Sequence, residues 1–317
     1  DSSTSRGLGD VYKRQYLNHN TGESHPENIE RYSIVKSLIE EKYSQHNFIK
    51  PREVSLDELY LIHETKYVDN VINSIPDKNF FYYDPDTIGS STSLKSYLLA
   101  AGGSILAFEE IIRMNYLKKN SSFFCAHRPP GHHAEASKAM GFGVFNNVAV
   151  SAANAIKNPN INSILIVDFD VHHGNGTQHS FENNPNIVYA SSHQFPFYPG
   201  SGDIAERGCG NIYNCPLEAG VNSKEFRYLF ENHIISQINQ DFDLIYFSAG
   251  FDAHYKDPLA SINLIDEDFY WVTDIVLNKF GGQTPVISVL EGGYDKEGLK
   301  NGLDQHLKAL YKYNKNE

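Results

Sequence analysis

The sequence predicts an α/β fold: a single domain on an open, mostly parallel β-sheet with helices on both faces. Three observations carry this. Short apolar runs rich in β-branched residues alternate with segments of helical period. The clearest run, 161–168 (INSILIVD), is apolar at successive positions rather than at alternate ones, as in strands covered on both sides. Several runs lead directly into polar motifs rich in His, Asp and Gly, and open sheets gather ligands beyond the carboxyl ends of their strands.

Residues 1–15 (DSSTSRGLGDVYKRQ) are polar, glycine-broken and aperiodic, and resemble translated sequencing-adaptor sequence. They are expected to form a non-native or disordered segment, with the folded domain over 16–317. Pro26 reads as a first-turn helical residue, followed by Ile29, Tyr32, Val35, Leu38 and Ile39 at helical spacing. Further helices are expected over 66–75 and 94–114, a strand over 123–126, and a buried helix over 144–156. Strands follow at 161–168 and 187–190, then a Phe/Tyr/Pro/Gly-rich loop over 194–210. The remaining pattern is helix 223–238, strand 244–247, helix 266–279, strand 286–290 and a closing helix 296–313. No repeat or linker divides the chain, so one domain is the economical reading.

The net charge of −12 argues against general nucleic-acid binding, which wants a basic face. An acidic body attracts cationic substrates such as lysine-bearing peptides or polyamines, although acidity serves solubility in any case. Cys125, Cys209 and Cys215 do not make a disulfide framework, and free thiols fit a reducing compartment. No apolar run approaches the length of a membrane span and no signal-peptide pattern is evident, so the expected location is cytoplasmic, with no membrane partner.

Four motifs carry the chemistry: Arg128-Pro129-Pro130-Gly131-His132-His133-Ala134-Glu135, Asp168-Phe169-Asp170-Val171-His172-His173-Gly174-Asn175-Gly176, Ser248-Ala249-Gly250-Phe251-Asp252-Ala253-His254, and Leu290-Glu291-Gly292-Gly293-Tyr294-Asp295. Asp170 and His172 stand two apart where an extended segment ends, so their side chains point to one face. Asp252, in a glycine-containing turn just past the strand 244–247, is the best third ligand. Catalytic zinc commonly has three protein ligands and an open fourth position. A set of two aspartates and one histidine is harder than a thiolate site, so Fe²⁺, Co²⁺ or Mn²⁺ also suits it. A lone Asp-x-His is usually a surface pair. Two carboxylates and two imidazoles behind a buried strand cost several kcal/mol, on the order of the penalty for unpaired buried polar groups, unless a cation compensates them.

His132 and His133 form the expected proton-transfer pair, because imidazole titrates near working pH. Asp168 is placed to orient one of them and Asn175 the other. Tyr294, after a Gly-Gly turn, is placed to donate to an oxyanion. Phe142, Phe197 and Tyr198 are candidate walls of a narrow apolar slot.

Together these residues resemble the zinc-dependent histone deacetylase family, in its class II or bacterial deacetylase-like branch, and with it the arginase/deacetylase fold. The resemblance begins near His19, takes in His25-Pro26-Glu27 and Arg31, and reaches the final helix; Asn175 and Thr177-Gln178 point to the class II branch. It implies one Zn²⁺ on Asp170, His172 and Asp252, His133 as general base and acid, and His132 as an electrostatic partner paired with Asp168. Tyr294 would polarise the acyl carbonyl. Gly141, Phe142 and Tyr198 would line an acyl-lysine tunnel, with Tyr198 where many members have Phe, and Leu259 would join them. Structural K⁺ is also implied, one ion near Asp168, Asp170, His172, Ser191 and Ser192 and a second near Phe181, Asn184 and Ile187. Asp86 is the candidate for the family's acidic rim residue.

The expected activity is removal of an acetyl or other acyl group from N-acyl-lysine, in a peptide or protein, or from a small acylated amine, through a metal-activated water. An acetylpolyamine amidohydrolase is the closest alternative, disfavoured by Leu259 after Asp257-Pro258, where polyamine-selective relatives have Glu. A non-catalytic acyl-lysine binding protein is a further one. Binuclear arginase-like chemistry needs more bridging carboxylates, and the position two after Asp252 is His254. The oligomeric state is left open, a homo-oligomer included.

Overall fold

The computed structural model describes residues 9–11 and 14–315. Ten strands are found among them: β1 (Gly9–Val11), β2 (Asn47–Ile49), β3 (Phe80–Tyr82), β4 (Ile88–Ser90), β5 (Ser122–Cys125), β6 (Ile164–Asp168), β7 (Ile187–Gln194), β8 (Ile212–Leu217), β9 (Leu244–Ala249) and β10 (Val286–Leu290). The α-helices are α1 (Ile29–Lys42), α2 (Leu56–Leu59), α3 (Thr65–Asn73), α4 (Leu94–Arg113), α5 (Asn147–Ala155), α6 (Asn175–Phe181), α7 (Ser223–Phe230), α8 (Asp266–Val276) and α9 (Lys296–Lys315). Eight strands form one sheet in the order β2-β1-β5-β10-β9-β6-β7-β8, while β3 and β4 make a separate antiparallel hairpin. All neighbours in the large sheet run parallel, so their carboxyl ends share one edge.

The continuous apolar runs are explained by two cores, one on each face. Phe123, Cys125, Ile164, Ile166, Leu244, Tyr246, Ile287 and Val289 pack with α4 and α5 residues such as Phe108 and Val148. The alternate positions Phe124, Leu165, Val167, Ile245 and Phe247 pack with Leu38 of α1, Val272 of α8 and Leu303 of α9. Side chains alternate along a strand, so a sheet clad on both faces buries every position.

Several boundaries differ from expectation for local reasons. Helix α1 begins at Ile29 with Asn28 as its cap, the Asn28 side chain accepting from Glu30 N, so Pro26 precedes the helix rather than opening it. Helices α7 and α8 stop short of the expected spans and pass into π turns at Glu231–Ile235 and Leu277–Gly281. Strand β7 runs on to Gln194 because β8, which carries no strong apolar run, pairs along it. Most of the segment 1–15 lies outside the described residues; within it the backbone of Gly9–Val11 pairs with both β2 and β5. No described helix is long and apolar enough to cross a membrane.

Candidate active site

Four strands, β5, β6, β9 and β10, deliver the four motifs to the carboxyl edge of the sheet. Asp170, His172 and Asp252 meet there, with one ligand atom from each within 4.8 Å of the others. His172 Nδ1 is 3.1 Å from Asp170 Oδ1 and 3.1 Å from Asp252 Oδ2. The other oxygen of each carboxylate is tied to the backbone: Gly292 N donates to Asp170 Oδ2 at 2.8 Å and Val171 N to Asp252 Oδ1 at 2.9 Å. The two acids are therefore held with one oxygen each turned to a common point. A Cβ at residue 292 would stand 2.3 Å from Asp252 Oδ2 and 2.5 Å from Asp170 Oδ2, so only glycine fits beneath them.

One imidazole nitrogen carries at most one proton, yet two buried carboxylates face this one. Burial alone would lower the pKa of His172, but the two aspartates outweigh it and push it up to about 10. Such an excess of buried negative charge, presented by hard oxygen and nitrogen donors, fits a divalent cation. Among the described residues no other group of His, Cys, Asp and Glu gathers in this way.

The two neighbouring histidines have different environments. His132 Nδ1 lies 3.0 Å from Asp168 Oδ2, which also accepts from Tyr189 Oη at 3.0 Å. Burial opposes a charge on His132, but Asp168 and Asp170 overcome it and raise its pKa to about 10. His133 is pushed the other way, well below the ordinary histidine value, by burial and by the positive charge of His132 and His172. Its Nδ1 is 2.7 Å from Asn175 Oδ1, and Asn175 Nδ2 donates to the His133 carbonyl oxygen at 3.2 Å. An amide oxygen only accepts, so His133 carries its proton on Nδ1 and keeps a lone pair on Nε2.

Tyr294 lines a cavity of about 220 Å³ together with His133, His172, Gly141, Phe142, Phe197, Tyr198, Leu259 and Asp86. Burial holds the Tyr294 phenol well above its usual pKa, so it keeps its proton as a donor. The Arg31 guanidinium lies over its ring at 4.8 Å, and Arg31 Nε donates to Gly293 O at 2.6 Å. Phe142 (φ +67°) stands edge-on to Tyr294 with ring centroids 5.6 Å apart. Across the cavity Phe197 stacks on His172 at 5.6 Å and Tyr198 meets His133 edge-on at 5.1 Å. Leu259, Asp86 and Tyr198 thus join the cavity, the last 37% exposed at its mouth. Burial and nearby Asp84 raise the pKa of Asp86 to about 6.

The residues of the first expected K⁺ position are also neighbours, Ser191 of β7 standing opposite Asp168 of β6 with Ser192 following it. Those of the second, Phe181, Asn184 and Ile187, turn their carbonyls toward the Asn211 side chain. His254 turns away from the ligand cluster to Asp266 Oδ1, 3.0 Å distant.

Three supporting residues had no role assigned from the sequence. Glu291 accepts from Gly131 N at 2.7 Å and His132 N at 3.1 Å, fixing the histidine loop. The signal was available, since it is an acid placed directly behind an apolar strand, much as Asp168 ends one. Asp257 Oδ2 accepts from Tyr294 N at 2.6 Å and from Asp295 N at 3.1 Å. Glu27 pairs with Arg128 through both oxygens, at 2.7 and 2.6 Å, and with Arg31 at 3.2 Å. Apart from Arg31, four residues after Glu27, the partners lie far away in the chain, so these signals were not local.

Residues 25–310 match the family described as the histone deacetylase domain. The chain belongs to that family. It is 34% identical over 297 residues to a probable deacetylase of Methanothermobacter thermautotrophicus, covering 91% of this chain and 86% of that one. It is 33% identical over 318 residues to histone deacetylase 10, chloroplastic, of Oryza sativa subsp. japonica, covering 93% and 71% respectively. The crystal structure of the HDA15 HD domain matches with a TM-score of 0.87 and 30% identity, over 97% of this chain and 89% of that one. The family resemblance and the single-domain α/β fold expected from the sequence are thereby shown, and the protein is a deacetylase-family hydrolase. All the residues grouped at the sheet edge fall inside the histone deacetylase domain.

Proposed function

We propose that this histone deacetylase-family member hydrolyses the amide of an N-acetyl-lysine side chain, with a single divalent ion, zinc before iron or cobalt, on Asp170, His172 and Asp252. The observation that carries the reading is the meeting of that ligand set, a neutral His133 and a protonated Tyr294 at one narrow aromatic cavity. A cation held there supplies a Lewis acid that polarises a carbonyl and acidifies a water.

The chain's own groups do the rest. His133 Nε2, its tautomer set by Asn175, accepts the proton released as water adds to the carbonyl carbon. Burial, and with it positive charge on neighbouring His132, keeps His133 neutral until that moment. The Tyr294 hydroxyl donates to the carbonyl oxygen as it gains charge. The C–N bond then breaks, His133 returns its proton to the leaving amine nitrogen, and acetate and a free lysine amine result. The aromatic and apolar walls from Phe142, Phe197, Tyr198 and Leu259 suit an unbranched alkyl chain and exclude bulk water.

Steady-state kinetics of the purified, metal-quantified protein on acetyl-lysine peptide and on acetylspermidine tests this. Peptide turnover that is lost in His133→Ala at unchanged metal content is expected. Preference for acetylspermidine would move the reading to the polyamine class, and hydrolysis of neither would leave the chain a binding protein.

A further inference from the structure

We infer that the side-chain amide of Asn211 fills the position where the family resemblance implies a second potassium ion, so that this chain joins α6, β7 and β8 there without a cation. The inference rests on family membership and not on the catalytic reading.

Asn211 stands immediately before β8 and is 4% exposed. Its Nδ2 lies 2.7 Å from Phe181 O, 3.0 Å from Asn184 O and 2.7 Å from Ile187 O. Its Oδ1 accepts from Cys209 N at 3.2 Å. That contact sets the amide orientation, because carbonyl oxygens accept and cannot donate. The three oxygens belong to the last residue of α6, the following turn and the first residue of β7. Helix ends leave carbonyls without intrahelical partners, and here a buried amide answers them.

The same lone pairs cannot also serve an ion. A potassium ion in a carbonyl cage takes those oxygens in place of its hydration shell. Phe181 O already accepts from Asn184 N at 2.9 Å, and Asn184 O from Ile187 N at 3.1 Å. With Asn211 added, both lone pairs of each are engaged. Two amide protons serve three acceptors, so the nitrogen sits at the centre of the cage, where a cation would sit. Because α6 begins with Asn175, which orients His133, this tie at its far end also anchors the helix beneath the catalytic base.

Thermal melts in potassium chloride and in choline chloride at equal ionic strength, on wild type, Asn211→Ala and Asn211→Asp, read this position. Any potassium effect at the Asp168 and Ser191 region is common to all three. Removing the amide should open the cage, so both variants should lose Tm in choline and recover more of it in potassium than wild type gains. Asn211→Asp should show the larger recovery, because its carboxylate repels the three oxygens until a cation separates them. Equal potassium increments in all three proteins would overturn the inference. Wild-type crystals grown with thallium(I) give an independent answer even where the variants fail to fold. No anomalous peak should lie among the carbonyls of Phe181, Asn184 and Ile187, and a peak there would overturn the inference as well.

Discussion

Asn175 Oδ1 sits 2.7 Å from His133 Nδ1 and so decides which nitrogen of His133 faces the cavity. A neutral amide acceptor fixes the tautomer without adding negative charge, which leaves the pKa of His133 low. A carboxylate in the same place would favour the imidazolium.

Asn175→Asp is therefore expected to move the acidic limb of the kcat/KM–pH profile upward by about one unit or more. The sign follows from the linkage: the base is active only when unprotonated, and a raised pKa keeps it protonated to higher pH. Asn175→Ala should instead lower kcat by about tenfold to a hundredfold at every pH, the usual cost of losing an outer-shell orienting partner. Identical limbs in wild type and Asn175→Asp would remove His133 as the base.

Metal removal should destabilise the fold as well as stop turnover. Asp170 and Asp252 are buried and share one nitrogen of His172, Asp170 having His132 Nε2 besides at 3.8 Å, so without a cation two carboxylates crowd this point. A ligand at a thousand times its Kd adds about 4 kcal/mol to folded-state stability. Chelator treatment should lower the Tm, and zinc should restore it. Asp252→Asn should abolish that response, and calorimetry with metal analysis checks both.

The grouping of the candidate site was legible in the sequence because each of its motifs follows an apolar strand within a few residues, and parallel strands bring such segments to one edge. Asp170, His172 and Asp252 were found on spacing and residue chemistry alone. What was not legible depended on tertiary partners. Asp257 reads as an ordinary turn acid until β10 brings the Tyr294 amide to 2.6 Å from it. Strand β8 was invisible because Tyr213 and Asn214 interrupt its apolar pattern, and its pairing with β7 defines it. Asn211, between a glycine turn and that strand, resembles any loop asparagine until three carbonyls from 181–187 close on it.

Asp257 should act on catalysis through Tyr294. Its Oδ2 holds the backbone amides of Tyr294 and Asp295, and its Oδ1 accepts from Leu259 N at 3.0 Å, so one carboxylate positions two walls of the cavity. Asp257→Ala is expected to lower kcat by about tenfold or more through misplacement of the phenol donor. If the effect runs through Tyr294, the Asp257→Ala/Tyr294→Phe double variant should be little worse than Tyr294→Phe alone. A double-mutant cycle on kcat measures this, and strict additivity would place the action of Asp257 elsewhere.

Acid sensitivity of the fold should begin near pH 6.5, well above the carboxylate range, because several histidines are buried uncharged. Burial lowers His63 to about 4, His127 to about 3 and His306 to about 3. His306 is the cleanest case: it lies between Thr273 Oγ1 at 2.6 Å and Ser288 Oγ at 2.7 Å, against the rings of Phe124, Phe169, Phe247 and Phe251. Each folded pKa lies below the unfolded one, so the unfolded chain takes up protons first as the pH falls. Stability is then complete above about pH 6.5 and declines below it, by about 1.4 kcal/mol per pH unit for each such group, until the folded pKa is reached. His306→Gln removes one group from this set. The variant should be less stable than wild type at pH 8, yet its unfolding free energy should fall less steeply between pH 6 and 5, by the equivalent of about one proton. Urea unfolding across that range gives both slopes, and equal slopes would show that His306 does not resist protonation in the folded protein.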